Sequence, residues 1–261
     1  MMGRRGPNYD SIAGTYDRRY VDNDYSGVER ALIAFIGADP KGPVLEVGCG
    51  TGHWLQLLHQ RGVRVAGADA SKNMLDRARA KASDVALVRA RAEYLPYAGR
   101  TFERLFCINA LHHFEDKIAF LAEARRVLRP GGMVMTVGLD PHTGLDRWWL
   151  YDYFGPVLEL DRRRYPPVAS TRDWMHGVGF IDVRTSEVQH LPVRLSARLA
   201  IERGRLDKAA TSQLAILTDQ EYGQGIDRIH AAIEHAEARG ESLDLFADLR
   251  LYATFGTAPS I

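Results

Sequence analysis

Cysteine, excess charge and long apolar runs are all scarce in this chain. Only Cys49 and Cys107 occur among 261 residues, each in an apolar or glycine-rich context. They read as buried free thiols rather than half of a disulfide or part of a metal site. Basic and acidic residues balance at 34 and 33, for a net charge of +1. That leaves no broad cationic surface for the phosphate contacts that dominate nucleic-acid affinity. Apolar stretches stay too short to span a bilayer, and "MMGRRGPNYD" is not followed by the apolar segment of a secretion signal. Fixed-period repeats and low-complexity tracts are missing as well. The expectation is a cytoplasmic protein that acts on small molecules, with no nucleic-acid partner, membrane span or metal. Its oligomeric state stays open, a homodimer being one option.

What is present is alternation. Strand candidates at 43–47, 63–69, 85–88, 104–109 and 132–138 are separated by helix candidates at 53–60, 71–81 and 116–128. Such alternation is the pattern of an α/β fold with a parallel sheet and helical crossovers. Ser71 and Asp116 are placed as N-caps, and "RPGG" at 129–132 stops the third helix. A single domain over 1–261 is expected, with N-terminal helices to residue 40, a binding core at 41–140 and an aromatic-rich segment at 141–178. Within that segment, 146–160 reads as helical. Strands at about 180–188 and 247–255 flank a helical insert at 190–245, in which "TDQE" at 218–221 matches a capping box.

The stretch "VLEVGCGTGHW", 44–54, carries the chemistry. An apolar strand that breaks into glycines and resumes as a helix presents backbone N–H groups at the carboxyl edge of a sheet, where open α/β folds bind nucleotides. The dinucleotide fingerprint needs its third glycine one position later than Gly52, where His53 stands. Glu46, two residues before Gly48, would oppose a pyrophosphate and suit an ammonium group. Asp69 follows about twenty residues on, where an acid can accept both ribose hydroxyls. A ligand with an ammonium, a ribose and no phosphate fits these signs, and S-adenosyl-L-methionine is such a ligand.

"VLEVGCGTG", "VAGADASKNML", "AEYLP", "INALHHF" and "VLRPGG" stand in this order. Over about residues 8–140 the chain thereby resembles the class I S-adenosylmethionine-dependent methyltransferases. The likeness is to the methyltransferase type 11 branch that includes the ubiquinone and menaquinone biosynthesis enzymes. The resemblance implies a Rossmann-like, seven-stranded, mostly parallel sheet with helices on both faces and one antiparallel strand. It also implies S-adenosyl-L-methionine as cofactor and in-line transfer of its methyl group to a small-molecule acceptor. Gly48, Cys49, Gly50 and Gly52 would cradle the methionine portion, with Glu46 orienting the ammonium and Asn109 offering it a carbonyl. Asp69 would take the ribose, Ala70 and Met74 would pack on adenine, and the Ala92 N–H would meet the ring. Tyr9 or Tyr16 would reach the sulfonium or carboxylate from an N-terminal helix.

One position departs from the family. Arg91 stands where an acid usually reads the adenine amino group, and arginine cannot accept a hydrogen bond. Either Glu93 substitutes or the backbone alone holds that edge. His112 and His113, just past the fourth strand, are candidates for a general base, against the simpler reading of helix-start packing. Trp148, Trp149, Tyr151, Tyr153 and Phe154 read as core or subunit contact rather than a substrate wall, and Arg162–Arg164 as a solvated face. Two other functions share the early motifs: an NAD-dependent oxidoreductase, and a catalytically silent cofactor-binding protein of the same fold.

Overall fold

The computed structural model describes residues 17–260, so the expectations for Tyr9 and Tyr16 lie outside the described residues. Helices α1 (Arg18–Asp22) and α2 (Ser26–Ile36) lead into β1 (Val44–Val47) and α3 (His53–Gln60). The alternating half continues through β2 (Val65–Asp69), α4 (Lys72–Lys81), β3 (Ala86–Arg89), β4 (Phe102–Ile108), α5 (Lys117–Val127) and β5 (Leu128–Leu139). Then come β6 (Arg147–Trp148), α6 (Trp149–Tyr153), α7 (Val157–Arg164), α8 (Val168–Gly177) and β7 (Ile181–Ser196). Helices α9 (Ala197–Glu202), α10 (Ser212–Ala215) and α11 (Asp219–Glu237) precede the last strand, β8 (Asp244–Thr257).

The sheet runs β3-β2-β1-β4-β5-β8, with β7 on the outer side of β8 and β6 beside β8 beyond the end of β5. Strands β1 to β5 are parallel, and β8 runs antiparallel to β5 and to β7. Among the described residues eight strands thus stand against the seven expected, the addition being the two-residue β6. The strand order reverses between β1 and β4, and ligands of open α/β sheets bind in the crevice at such a reversal.

Strand periodicity sends alternate β1 side chains to opposite faces. Val44 joins Val28, Leu32, Leu55 and Leu58 beneath α2 and α3, whereas Leu45 and Val47 join Leu105, Phe120 and Leu121 beneath α5. Both faces are therefore covered, which is why β1 is buried along its whole length. A third cluster, with Leu150, Phe154, Val157, Leu214 and Ile229, joins the aromatic segment to the insert. The caps are formed: Ser71 accepts from the Met74 N–H, Asp116 from those of Ile118 and Ala119, and Thr218 and Glu221 close a capping box.

Two sequence expectations change. Residues 146–160 form β6 and two helices, broken around Gly155 and Pro156, because proline removes a helical donor and its ring clashes with the preceding turn. Strand β7 runs on to Ser196, and β8 begins at Asp244, so the helical insert occupies 197–243 rather than 190–245. Pro192 lies within β7, opposite Asp248. A strand paired along one side only tolerates the missing donor.

Gly225 of α11 lets that helix close onto the aromatic segment: a Cβ there would stand 2.1 Å from Cδ1 of Phe154. Gly225→Ala is expected to lower stability by about 1–3 kcal/mol through overpacking. Thermal denaturation reads this directly, and an unchanged midpoint would contradict the packing.

Candidate active site

After Val47 the chain takes three left-handed steps, with φ of 74° at Gly48, 51° at Gly50 and 78° at Gly52. Glycine adopts such angles without steric penalty. Space is short as well, since a Cβ on Gly48 would lie 2.4 Å from Cβ of Ala110. The loop's donors are largely committed within the protein. Gly48 and Cys49 both donate to the Ala68 carbonyl, at 2.8 and 3.1 Å, and Gly52 donates to Cys49 at 2.9 Å. Gly50 donates to Oδ2 of Asp69 at 2.8 Å. The turn therefore offers a ligand bare backbone surface at these positions, where the sequence had suggested idle N–H groups.

Asp69 is half-buried at the end of β2, and its Oδ1 accepts from the Ser71 N–H at 2.8 Å. A carboxylate has about four acceptor sites, and these two backbone bonds take one on each oxygen. Glu46 sits deeper on β1 at 2% exposure. Its Oε2 has no hydrogen-bond partner among the described residues. Burial, and secondarily the negative charge of Asp69, push this carboxyl well above the usual range.

Of the residues expected to meet the adenine, Met74 and Ala92 are buried and Ala70 is exposed just before α4. Glu93 is buried and turned toward α5, where Oε1 accepts from the Asp116 N–H at 3.1 Å and Oε2 from Nε of Arg91 at 3.4 Å. Arg91 also pairs with Glu115. Of the two options for the adenine edge, the one using Glu93 would have to draw its carboxylate away from these partners.

Asn109, one residue past β4, has φ of 51° and donates its N–H to the Val137 carbonyl at 2.8 Å. Asparagine is among the few side chains that tolerate this region. Asn109 lines a cavity of about 190 Å³ together with His112, His113, Trp148 and Trp149. Both tryptophans also pack against the third apolar cluster, so they serve core and cavity together. His112 is 7% exposed; its ring stacks on Tyr165 at 3.8 Å and meets that of His113 at 3.7 Å. Burial holds His112 well below its ordinary value, and the neighbouring His113, Arg164, Arg19 and Lys117 add to this. His113 is lowered the same way, by burial first and then by Arg164, Arg19 and Lys117. Both imidazoles are thereby held neutral, the form that can accept a proton, while the same surroundings lower their basicity.

Behind Tyr165 lies a polar network that the sequence reading missed. Nε2 of Gln213 donates to the Tyr165 hydroxyl at 3.1 Å and to Oδ2 of Asp161 at 3.2 Å. The Tyr151 hydroxyl donates to the same Oδ2 at 3.2 Å, and Nη2 of Arg164 donates to Oδ1 at 2.6 Å. Asp161 is wholly buried, so Arg164 turns inward, whereas Arg162 and Arg163 stay exposed as the solvated-face reading expected. The i,i+3 spacing of an acid and a base was the available signal. Among the described residues, no cluster of three or more His, Cys, Asp or Glu side chains could hold a metal ion, and no helix is long and apolar enough to cross a membrane.

Comparison with known proteins now bears on this geometry. Residues 45–136 match the methyltransferase domain family. The ubiquinone/menaquinone biosynthesis C-methyltransferase UbiE of Desulfotalea psychrophila is 32% identical over 200 residues, which cover 67% of this chain and 81% of that protein. A malonyl-(acyl-carrier protein) O-methyltransferase of Hamiltonella defensa is 36% identical over 104 residues, and the match spans only 40% of either protein. Phosphoethanolamine N-methyltransferase 2 of Haemonchus contortus, solved with S-adenosyl-L-methionine, shares the fold with a TM-score of 0.61 at 18% identity. That match covers 96% of this chain and 57% of the other. The chain belongs to the class I S-adenosylmethionine-dependent methyltransferases. The cofactor of that family fits the residues present: the unanswered Oε2 of Glu46 calls for a cationic donor, which the ammonium provides.

The raised carboxyl of Glu46 fixes a sign. Its contribution to stability is complete below the ordinary value of 4.5 and is lost as pH rises through the raised folded value. Glu46→Gln cannot ionise, so at pH 8 and without ligand it is expected to exceed the wild type in stability by about 1 kcal/mol or more. The difference should shrink as pH approaches 4.5. Denaturant titrations across this range check it, and a constant difference would show that the carboxylate is not desolvated.

Proposed function

We propose that this chain transfers the methyl group of S-adenosyl-L-methionine to a small-molecule acceptor seated in front of Asn109 and the histidine pair. The observation that carries the reading is Glu46, a carboxylate removed from water with one oxygen unanswered beneath the glycine turn. A buried charge without a counterpart is unfavourable. A ligand ammonium relieves it, whereas a dinucleotide pyrophosphate would aggravate it. The same observation disfavours an NAD-dependent oxidoreductase.

When bound, S-adenosyl-L-methionine supplies a methyl group on a sulfonium, a leaving group already activated by its charge. The protein's part is to bind and align. In this reading Glu46 and the Asn109 carbonyl hold the ammonium and the glycine turn backs the methionine chain. Asp69 takes the ribose hydroxyls, Ala70 and Met74 enclose the adenine, and the Ala92 N–H meets its edge. Orientation of this kind is worth roughly 7–11 kcal/mol of barrier. His112 accepts the acceptor's proton where one must leave, and Tyr165 with Gln213 fixes the plane of its ring. The near-neutral net charge favours a small acceptor over nucleic acid, and two buried free thiols suit a reducing cytoplasm.

Calorimetry with S-adenosylhomocysteine tests the cofactor half. The wild type is expected to bind, and Asp69→Ala to bind at least about tenfold more weakly, a loss near 1.4 kcal/mol. No heat from the wild type at high micromolar ligand would overturn the assignment. His112→Asn is expected to leave that binding intact.

A further inference from the structure

Strand order sets where the parts of a nucleoside can lie. Strand β2 runs between β1 and β3, so the glycine turn, the Asp69 carboxylate and the loop after β3 stand side by side at the carboxyl edge of the sheet. Asp69 is opposite Arg89 in the register, and the Ala90 N–H donates to the Asp69 carbonyl at 3.0 Å. With the amino-acid end of the cofactor at Glu46 and the turn after β1, and its ribose at Asp69, the base falls on the β3 side, against residues 90–95. That loop offers donors. The Ala92 N–H has no hydrogen-bond partner among the described residues, although Ala92 is only 6% exposed. Arg91 precedes it, and a guanidinium donates without being able to accept.

The carboxylates around this loop are engaged. Oε1 of the buried Glu93 accepts from the Asp116 N–H at 3.1 Å, and its Oε2 pairs with Nε of Arg91 at 3.4 Å. Glu115 pairs with Nη2 of the same arginine. Glu123 of α5 accepts from the Leu95 N–H at 3.0 Å and from Nε of Arg126 at 2.6 Å. Adenine presents acceptors at its ring nitrogens and a donor in its amino group. The idle N–H of Ala92 can answer a ring nitrogen, and no carboxylate of the loop is left to answer the amino group. A site built to bond a substrate's N–H rejects an analogue without it, because its own buried acceptor is then unpaired. Here no such acceptor waits.

We propose that this chain recognises the base of its cofactor at a ring nitrogen, through the Ala92 N–H, and not at the amino group, and that Arg91 is the residue that sets this choice. It places a donor beside the idle N–H and at the same time holds Oε2 of Glu93. The consequence is tolerance of a cofactor whose purine lacks the amino group. This rests on the methyltransferase reading, which puts the ribose at Asp69.

Calorimetry on the full chain tests this with two ligands, S-adenosylhomocysteine and its analogue in which hydrogen replaces the 6-amino group. The wild type is expected to bind both within about fivefold, the weight of one net hydrogen bond. Arg91→Asn supplies an amide oxygen and releases Oε2 of Glu93, so it should open a preference of about fivefold or more for the amino form. Arg91→Lys brings no acceptor and should keep the two ligands as close as in the wild type. The Arg91 side chain is 52% exposed, so both variants are expected to fold, which thermal denaturation checks. A wild type that favours the amino form by more than about fivefold would overturn the proposal, as would an Arg91→Asn variant with an unchanged ratio. Either result leaves the methyltransferase reading standing as long as S-adenosylhomocysteine gives heat. Heat from neither ligand overturns both.

Discussion

A single carboxylate joins the two strand-to-helix turns on which the site stands. Asp69 ends β2 and receives the Gly50 N–H on one oxygen and the Ser71 N–H on the other, so the turn after β1 and the start of α4 are held at one point. Strands β1 and β2 are in register from Val44 opposite Val65 to Val47 opposite Ala68, which fixes the height at which the carboxylate arrives. The left-handed steps at Gly48 and Gly50 then carry the Gly50 N–H to it. Any side chain at Gly48 would strike Ala110, just past β4, so the same turn also sets the distance to the strand that presents Asn109. The glycine turn and the cavity beside Asn109 are thus tied through a few backbone atoms.

Features unfavourable to folding collect at this point. Glu46 is desolvated, Asn109 holds a left-handed backbone, and His112 and His113 are kept neutral by burial and by nearby cations. Each opposes the folded state taken alone, and strain or buried charge of this kind gathers where ligands bind. The contrast with Asp161 is instructive. It too is wholly buried, yet Arg164, Gln213 and Tyr151 supply it with donors. A buried acid with internal partners builds structure, whereas Glu46 keeps an open oxygen beside the glycine turn.

How far the sequence foretold this depends on how local each signal was. Strand β1, the glycine turn, α3 and the caps at Ser71, Asp116 and Thr218 each rest on residues within a few positions of one another, and they were legible. The break in the aromatic segment was signalled by Pro156 and overlooked because the apolar spacing around it still read as helical. The length of β7 was hidden by its outward-facing polar residues and by Pro192, features that mark an edge strand only once its partner is known. Arg164 looked solvated as part of a basic run, and its inward turn follows from Asp161 and Gln213, the latter 49 residues further along the chain.

The site divides along the same line. The proposed cofactor side comes from the turns after β1, β2 and β4, and the family match at 45–136 covers those strands. The cavity proposed for the acceptor draws on α1, on the segment from Trp148 to Tyr165 and on the insert between β7 and β8, all outside that match. Methyl transfer demands no particular residue type of the acceptor wall, only alignment and exclusion of water. The wall is therefore free to differ between proteins that keep the same cradle. Its chemistry has to be taken from side chains that only the folded chain brings together: tryptophans at the end of β6 and a histidine stacked on Tyr165.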